Sequence, residues 1–262
     1  MNWTNQTIVI TGAYGGLGKE LSIALSKLGA QLVITGRDYE KLLELKASLS
    51  NNTLLLAGNV SSEKFRNDLQ ELLSPIKNNG HILINNAAVS DVKFLQNQDP
   101  KLIVLMLQVN LLAPILLTQA LLPWLQQSST ANIINIGSTF GAIGYPGFSG
   151  YCASKFGLRG FSQALSRELS DTNISVNYLA PRAIATKIND HTVNQLNKEL
   201  KTNVDTPEIL VPQIIKAIVQ NNSERHFGWP EKLFAKINGI FPSMVSKSII
   251  KDHTTIKHYL NK

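Results

Sequence analysis

A short run of β-branched residues followed by a longer amphipathic stretch recurs along this chain, and that alternation constrains the fold more than any other feature. Parallel neighbours need a crossover connection between them, so strands separated by helices build βαβ units. Strand signals fall at 7–10 (Thr-Ile-Val-Ile), 31–35, 53–56, 81–85, 132–136 and 174–178. Helical periodicity lies between them at 17–28, 39–49, 62–76, a long stretch through Asn110, and 150–170, with Gly29 as a helix stop. The spacing predicts an α/β fold with a doubly wound parallel sheet, three layers deep, with ligands at the carboxyl ends of the strands.

At 262 residues the chain fits one such domain. We expect a catalytic domain over 1–228, including substrate-loop helices over about 185–220 with a break at Thr206-Pro207, and an amphipathic C-terminal extension over 229–262. With 44% hydrophobic and 16% charged residues the chain is not a disordered one. The single cysteine, Cys152, makes no internal disulfide and is read as a packing residue, and residues 1–6 carry neither the basic start nor the apolar run of a signal peptide, so a cytoplasmic location is expected. The longest apolar stretch, 102–125, is interrupted by Gln108, Asn110, Pro114, Gln119 and Pro123, which predicts a buried helix rather than a membrane span.

The formal charge is +7, but the basic residues are scattered without a run of five, so no nucleic-acid partner is expected. His81, His191, His226, His253 and His258 are dispersed, which predicts no catalytic metal. The tail mixes Phe234, Ile237, Ile240, Phe241, Met244, Val245, Ile249 and Ile250 with five lysines. Such a pattern packs on the body or a second subunit, with contact to a membrane surface or lipid-like substrate as the alternative.

Between the first strand and first helix stands Thr11-Gly12-Ala13-Tyr14-Gly15-Gly16-Leu17-Gly18, a Gly-x-x-x-Gly-x-Gly turn. Missing Cβ atoms there let the backbone approach a pyrophosphate, and the helix N-terminus faces its charge. The second strand ends Thr35-Gly36-Arg37-Asp38. A carboxylate at that tip accepts from the ribose 2′-OH of NAD, whereas Arg37 pairs with a 2′-phosphate; with Asp38 read as a helix N-cap, NADP(H) is favoured and NAD(H) is the alternative.

Ser138 follows the fifth strand, Tyr151 stands thirteen residues later, and Lys155 one helical turn beyond that. The i to i+4 spacing puts Tyr151 and Lys155 on one helix face, where a close ammonium favours phenolate by roughly 1–3 units. That tuning suits proton exchange with an alcohol or carbonyl oxygen.

From Thr7 to Thr186 the chain resembles the short-chain dehydrogenase/reductase family, and the resemblance implies its Rossmann-type fold. In that pattern Thr11 to Gly18 is the cofactor motif, Asn85-Asn86-Ala87-Ala88 is similar to an Asn-Asn-Ala-Gly motif, and Asn110, Ser138, Tyr151 and Lys155 match the catalytic tetrad. The resemblance makes Tyr151 the general acid or base, and Ser138 a hydrogen-bond partner of the reacting oxygen. Lys155 lowers the Tyr151 pKa and holds the nicotinamide ribose, and Asn110 anchors a water of a proton relay. The implied cofactor contacts are Gly12, Tyr14, Gly15, Gly16, Leu17, Gly18, Arg37, Asn59, Val60, Asn86, Ala87, Tyr151, Lys155, Pro181, Ile184 and Thr186. Three residues depart from the pattern: Asn59 in place of Asp, Ala88 in place of Gly, and Arg182 in place of Gly. Arg182 either narrows the pocket or recruits an anionic group.

The expected activity is NADP(H)-dependent interconversion of a carbonyl and an alcohol. Phe140, Ala142, Ile143, Tyr145 and Phe148 wall the substrate side, and Ser138, Phe140, Tyr145 and Tyr151 contact an apolar or fatty-acyl-type substrate. The alternatives are an NADP(H)-binding scaffold or redox sensor without turnover, and non-redox chemistry such as epimerisation. The resemblance also implies a homodimer or homotetramer formed by the helices bearing Asn110 and Tyr151. The stripe Leu102, Leu105, Leu112 and Leu116 is compatible with that and with packing on the sheet.

Overall fold

The inner strand Gln6–Ile10 (β1) is buried along its whole length, as a strand covered by helices on both faces must be. In the computed structural model, which describes residues 1–186, 189 and 191–260, six more strands join it. They are Gln31–Gly36 (β2), Leu54–Ala57 (β3), Gly80–Asn85 (β4), Thr130–Ile136 (β5), Ile174–Ala180 (β6) and Glu224–His226 (β7). All pairs are parallel, in the order β3-β2-β1-β4-β5-β6-β7. The order reverses between β1 and β4, the switch point at which a doubly wound sheet opens a crevice.

Alternation along the strands divides the core in two. Ile8, Ile10, Leu32, Ile34, Ile82 and Ile84 face Gly16–Lys27 (α1), Tyr39–Lys46 (α2) and Pro207–Val219 (α8). Val9, Val33, Leu83 and Ile133 face Glu63–Leu73 (α3), Ala113–Gln126 (α5) and Ser149–Glu168 (α6). The remaining helices are Pro100–Leu107 (α4), His191–Glu199 (α7), Glu231–Ile240 (α9), Pro242–Lys251 (α10) and His253–Leu260 (α11). Residues 187, 188 and 190 of the expected substrate-loop region, and 261 and 262 of the extension, lie outside the described residues.

The structure corrects two expectations about elements. A seventh strand is present: β7 is only Glu-Arg-His, with no apolar alternation, and takes its extended form from pairing with Tyr178–Ala180. The long helix through Asn110 is broken by a π-helical segment, Gln108–Leu112, where the Ala113 N–H bonds the Gln108 carbonyl. Expected helix starts hold to their caps: Asp38 and Ser62 accept from Lys41 and Phe65 N–H groups, and Thr206 precedes Pro207 at the first turn of α8. By length and composition Pro100–Gln126 is apolar enough to cross a membrane, yet its Leu117, Leu121, Trp124 and Leu125 pack into the sheet core.

Candidate active site

A cleft of about 860 Å³ runs along the carboxyl edge of the sheet, from the glycine turn to the C-terminal helices. Gly12 sits at φ +63°, and a Cβ on it would come within 2.9 Å of Ala87 Cα, so this position demands glycine for both conformation and space. At Gly18 a Cβ would strike the Gly12 carbonyl and the Asn86 amide. The turn is held from behind: Thr11 Oγ1 accepts from the Asn86 and Ala87 N–H groups, both at 3.0 Å, and Asn86 Nδ2 donates to the Thr11 and Gly12 carbonyls. Helix α1 has no side-chain cap at Gly15, which leaves its N-terminus facing the cleft for an anion. These residues fit a dinucleotide pyrophosphate.

Every predicted cofactor contact lines this cleft except that Asn86 also spends its amide on the turn's backbone. Tyr14 lies against Gly36, where an added Cβ would meet its ring. Arg37 stands exposed at the tip of β2 with no acidic partner among the described residues, while Asp38 caps α2 and pairs with Lys41 at 2.8 Å. Asn59 turns its Oδ1 to the Ser61 N–H at 3.1 Å. Pro181, Ile184 and Thr186 border the cleft, and Thr186 lies over Gly16.

Helix α6 carries Tyr151 and Lys155 on one face, and Ser138 follows β5. Burial pushes the Tyr151 phenol up to about 12, against the pull of its hydrogen bond with the Ser138 hydroxyl. Burial also pushes Lys155 down to about 8. Lys155 Nζ donates to the Ile136 carbonyl at 3.0 Å and stands 5.7 Å from the Tyr151 ring centroid. Desolvation is the foremost cause of the raised Tyr151 pKa. Ser138 Oγ accepts from the Phe140 N–H at 3.1 Å.

Asn110 is fully buried on the π segment. Its side chain accepts from Val89 N–H at 2.8 Å and donates to the Val89 carbonyl and Ser154 Oγ at 2.9 and 3.1 Å. A side chain so occupied holds the loop after β4 against α6, and leaves only the Asn110 main chain for a water. Cys152 is buried, its Sγ 3.8 Å from the Ile143 carbonyl.

Phe140, Tyr145 and Phe148 form an aromatic cluster at the substrate side, with ring centroids 4.7–6.0 Å apart. With Ile143 they line the cleft; Ala142 lies behind it and accepts from Asn238 at 2.8 Å through its carbonyl. The opposite wall consists of residues the sequence did not single out for this site: Val193 and Leu196 of α7, Phe234 of α9 and Val245 and Ile249 of α10. Their amphipathic spacing is visible in the sequence, but nothing local says which surface they cover.

Arg182 does not present a free cation to the cleft. Its Nε and one terminal nitrogen grip the Asp205 carboxylate at 2.9 and 2.7 Å, and the other reaches Glu231 at 3.2 Å and the Trp229 carbonyl at 3.0 Å. Four of its five N–H donors are directed at protein acceptors. The departure from the family pattern is a clasp joining the loop after β6 to the segments that open α8 and α9.

A doubly wound sheet, a glycine turn at its switch point and a hydroxyl pair above a buried lysine define an oxidoreductase that uses a nicotinamide dinucleotide. The short chain dehydrogenase profile matches residues 6–197, and the chain belongs to that family of NAD(P)-dependent dehydrogenases and reductases. A relative, the 3-oxoacyl-[acyl-carrier-protein] reductase FabG of Rickettsia typhi, is 32% identical over 199 residues, which covers 76% of this chain and 80% of that protein. A short-chain dehydrogenase from Sphingobium yanoikuyae, solved in complex with NADPH, superposes with a TM-score of 0.77 at 25% identity over 92% of this chain and 95% of that one. A Burkholderia phymatum relative, solved in complex with NAD, gives 0.82 at 19% identity, over 93% of this chain and 96% of that one, and shares the fold.

Proposed function

We propose that the chain reduces an apolar ketone or fatty-acyl-type carbonyl to the alcohol, with NADPH as the reductant and Tyr151 as the proton donor. The observation that carries this reading is the Tyr151 phenol, hydrogen-bonded to Ser138 and held at about 12, in a cleft walled by aromatic and aliphatic side chains. A phenol with that pKa is protonated at neutral pH, so it is loaded as an acid. Ser138 orients the carbonyl oxygen, and Lys155 beneath the ring favours the phenolate left after donation. Nicotinamide, when bound, supplies the hydride. Tyr151 would give its proton to the substrate oxygen, and solvent would restore the phenol.

The exposed Arg37, with no acidic partner among the described residues, supports NADP(H) over NAD(H), because Asp38 is committed to Lys41 and its helix N-terminus. The name of the Rickettsia typhi relative supports an acyl substrate. Outward-facing Leu102, Val104, Leu107 and Leu112 on the long helix, with Phe156 of α6, support a homodimer or homotetramer; of the predicted stripe, Leu102 and Leu112 are exposed and Leu105 and Leu116 half-buried. A cytoplasmic location accords with this reading. The test is nicotinamide absorbance at 340 nm during turnover of NADPH and NADH on ketones, aldehydes and acyl thioesters. NADPH oxidation on apolar carbonyls, with Arg37→Ala weakening NADPH but not NADH at least about tenfold, supports the reading. Equal loss with both cofactors removes Arg37 as the phosphate reader.

A further inference from the structure

Helices α9 and α10 form a hairpin whose inner face is spoken for: Ala235 and Val245 pack on Ala142 and Ile143, and Phe234 and Ile249 line the cleft. Its tip is not. Ile240, Phe241 and Met244 are 70, 60 and 54% exposed, three large apolar side chains crowded about one turn. Soluble surfaces carry apolar residues singly, and a cluster of this kind marks an interaction site. Lys236 and Lys247 stand one turn back from the tip on either helix, with Lys251 one turn further along α10. Acidic side chains do not balance them. From Trp229 to Leu260 there are five lysines against Glu231 and Asp252, and Glu231 is already held by Arg182.

An apolar tip with cationic shoulders complements one partner in both respects, an anionic bilayer, whose acyl boundary takes the apolar side chains while its headgroups take the ammonium groups. A second copy of the chain fits less well, because lysine is depleted in protein interfaces. We infer that the α9–α10 hairpin docks the protein peripherally on anionic membranes, with Ile240, Phe241 and Met244 entering the interface. This inference rests on no reading of the reaction.

The test is sedimentation of the full chain with vesicles of phosphatidylcholine alone or with about 30 mol% phosphatidylglycerol, at low and high salt. The expected result is capture by the anionic vesicles, weakened by salt. Lys236→Gln and Lys247→Gln each lower the partition about fivefold. Ile240→Asp/Phe241→Asp lowers it at least about tenfold, with an unchanged circular-dichroism melt. Light scattering without lipid should give one mass for wild type and the tip variant. Failure to sediment with anionic vesicles, or equal capture of the tip variant, overturns the inference. So does a smaller lipid-free mass for that variant, which would make the tip a contact between copies.

Discussion

Removing the Arg182 guanidinium should destabilise the protein by an amount the clasp geometry sets. Arg182→Ala leaves two carboxylates, Asp205 and Glu231, whose side chains are 11 and 20% exposed, without their cation. Breaking a buried ion pair by removing one partner costs about 3–5 kcal/mol, whereas an exposed pair is worth under about 1 kcal/mol. Discounting the buried figure for the remaining solvent access leaves about 2–3 kcal/mol. At an unfolding entropy of roughly 2 cal/mol/K per residue, that lowers Tm by about 4–6 °C. Arg182→Lys should recover less than half, because an ammonium cannot reproduce the fork on Asp205. In a cycle with Asp205→Asn, followed by guanidinium denaturation, the double variant should cost less than the sum of the singles by about 1.5 kcal/mol or more. An Arg182→Ala protein melting within about 1 °C of wild type, or additive single effects, would refute the clasp.

Two further outcomes follow from the geometry. Glu224 is held down to about 2 by His226 foremost, then by Gln163 and Arg159, from a usual value of 4.5. A lowered carboxylate pKa stabilises the fold above the unfolded value, and the benefit disappears as pH falls through the folded one. Wild type should therefore lose urea stability from pH 4.5 down toward 2 more steeply than Glu224→Gln; parallel profiles would exclude Glu224 as the cause. Gly18→Ala drives a methyl group into the Gly12 carbonyl and the Asn86 amide, so NADPH titration by fluorescence should show binding weakened at least about tenfold, and unaltered affinity would contradict the cradle.

How much of this was legible in the chain depends on how local each signal is. β1 to β4 announce themselves as short runs rich in Ile, Val and Leu, and β5 and β6 as apolar residues interspersed with Asn and Ser. β7 is charged and becomes a strand only by pairing with β6. The π segment at Gln108–Leu112 hides because the flanking stretch is apolar at nearly every position, so the phase shift from one extra residue leaves no visible break. In the site, the glycine turn and the i, i+4 Tyr151–Lys155 pair are local and legible. Arg182 could be flagged as unexpected but not explained, because its partners lie 23 to 49 residues away. The apolar wall from α7, α9 and α10 is invisible for the same reason. Spacing places Lys155 on the Tyr151 face but does not say that its Nζ turns to the Ile136 carbonyl.

The central claim is proton donation by Tyr151 during hydride transfer, and the most direct measurement compares NADPH oxidation by wild type and Tyr151→Phe on the same apolar ketone, with NADPH affinity measured alongside. The phenol oxygen is the only heavy atom removed. The account predicts turnover reduced at least about a hundredfold with NADPH affinity held within a few-fold. Full activity in Tyr151→Phe would contradict it.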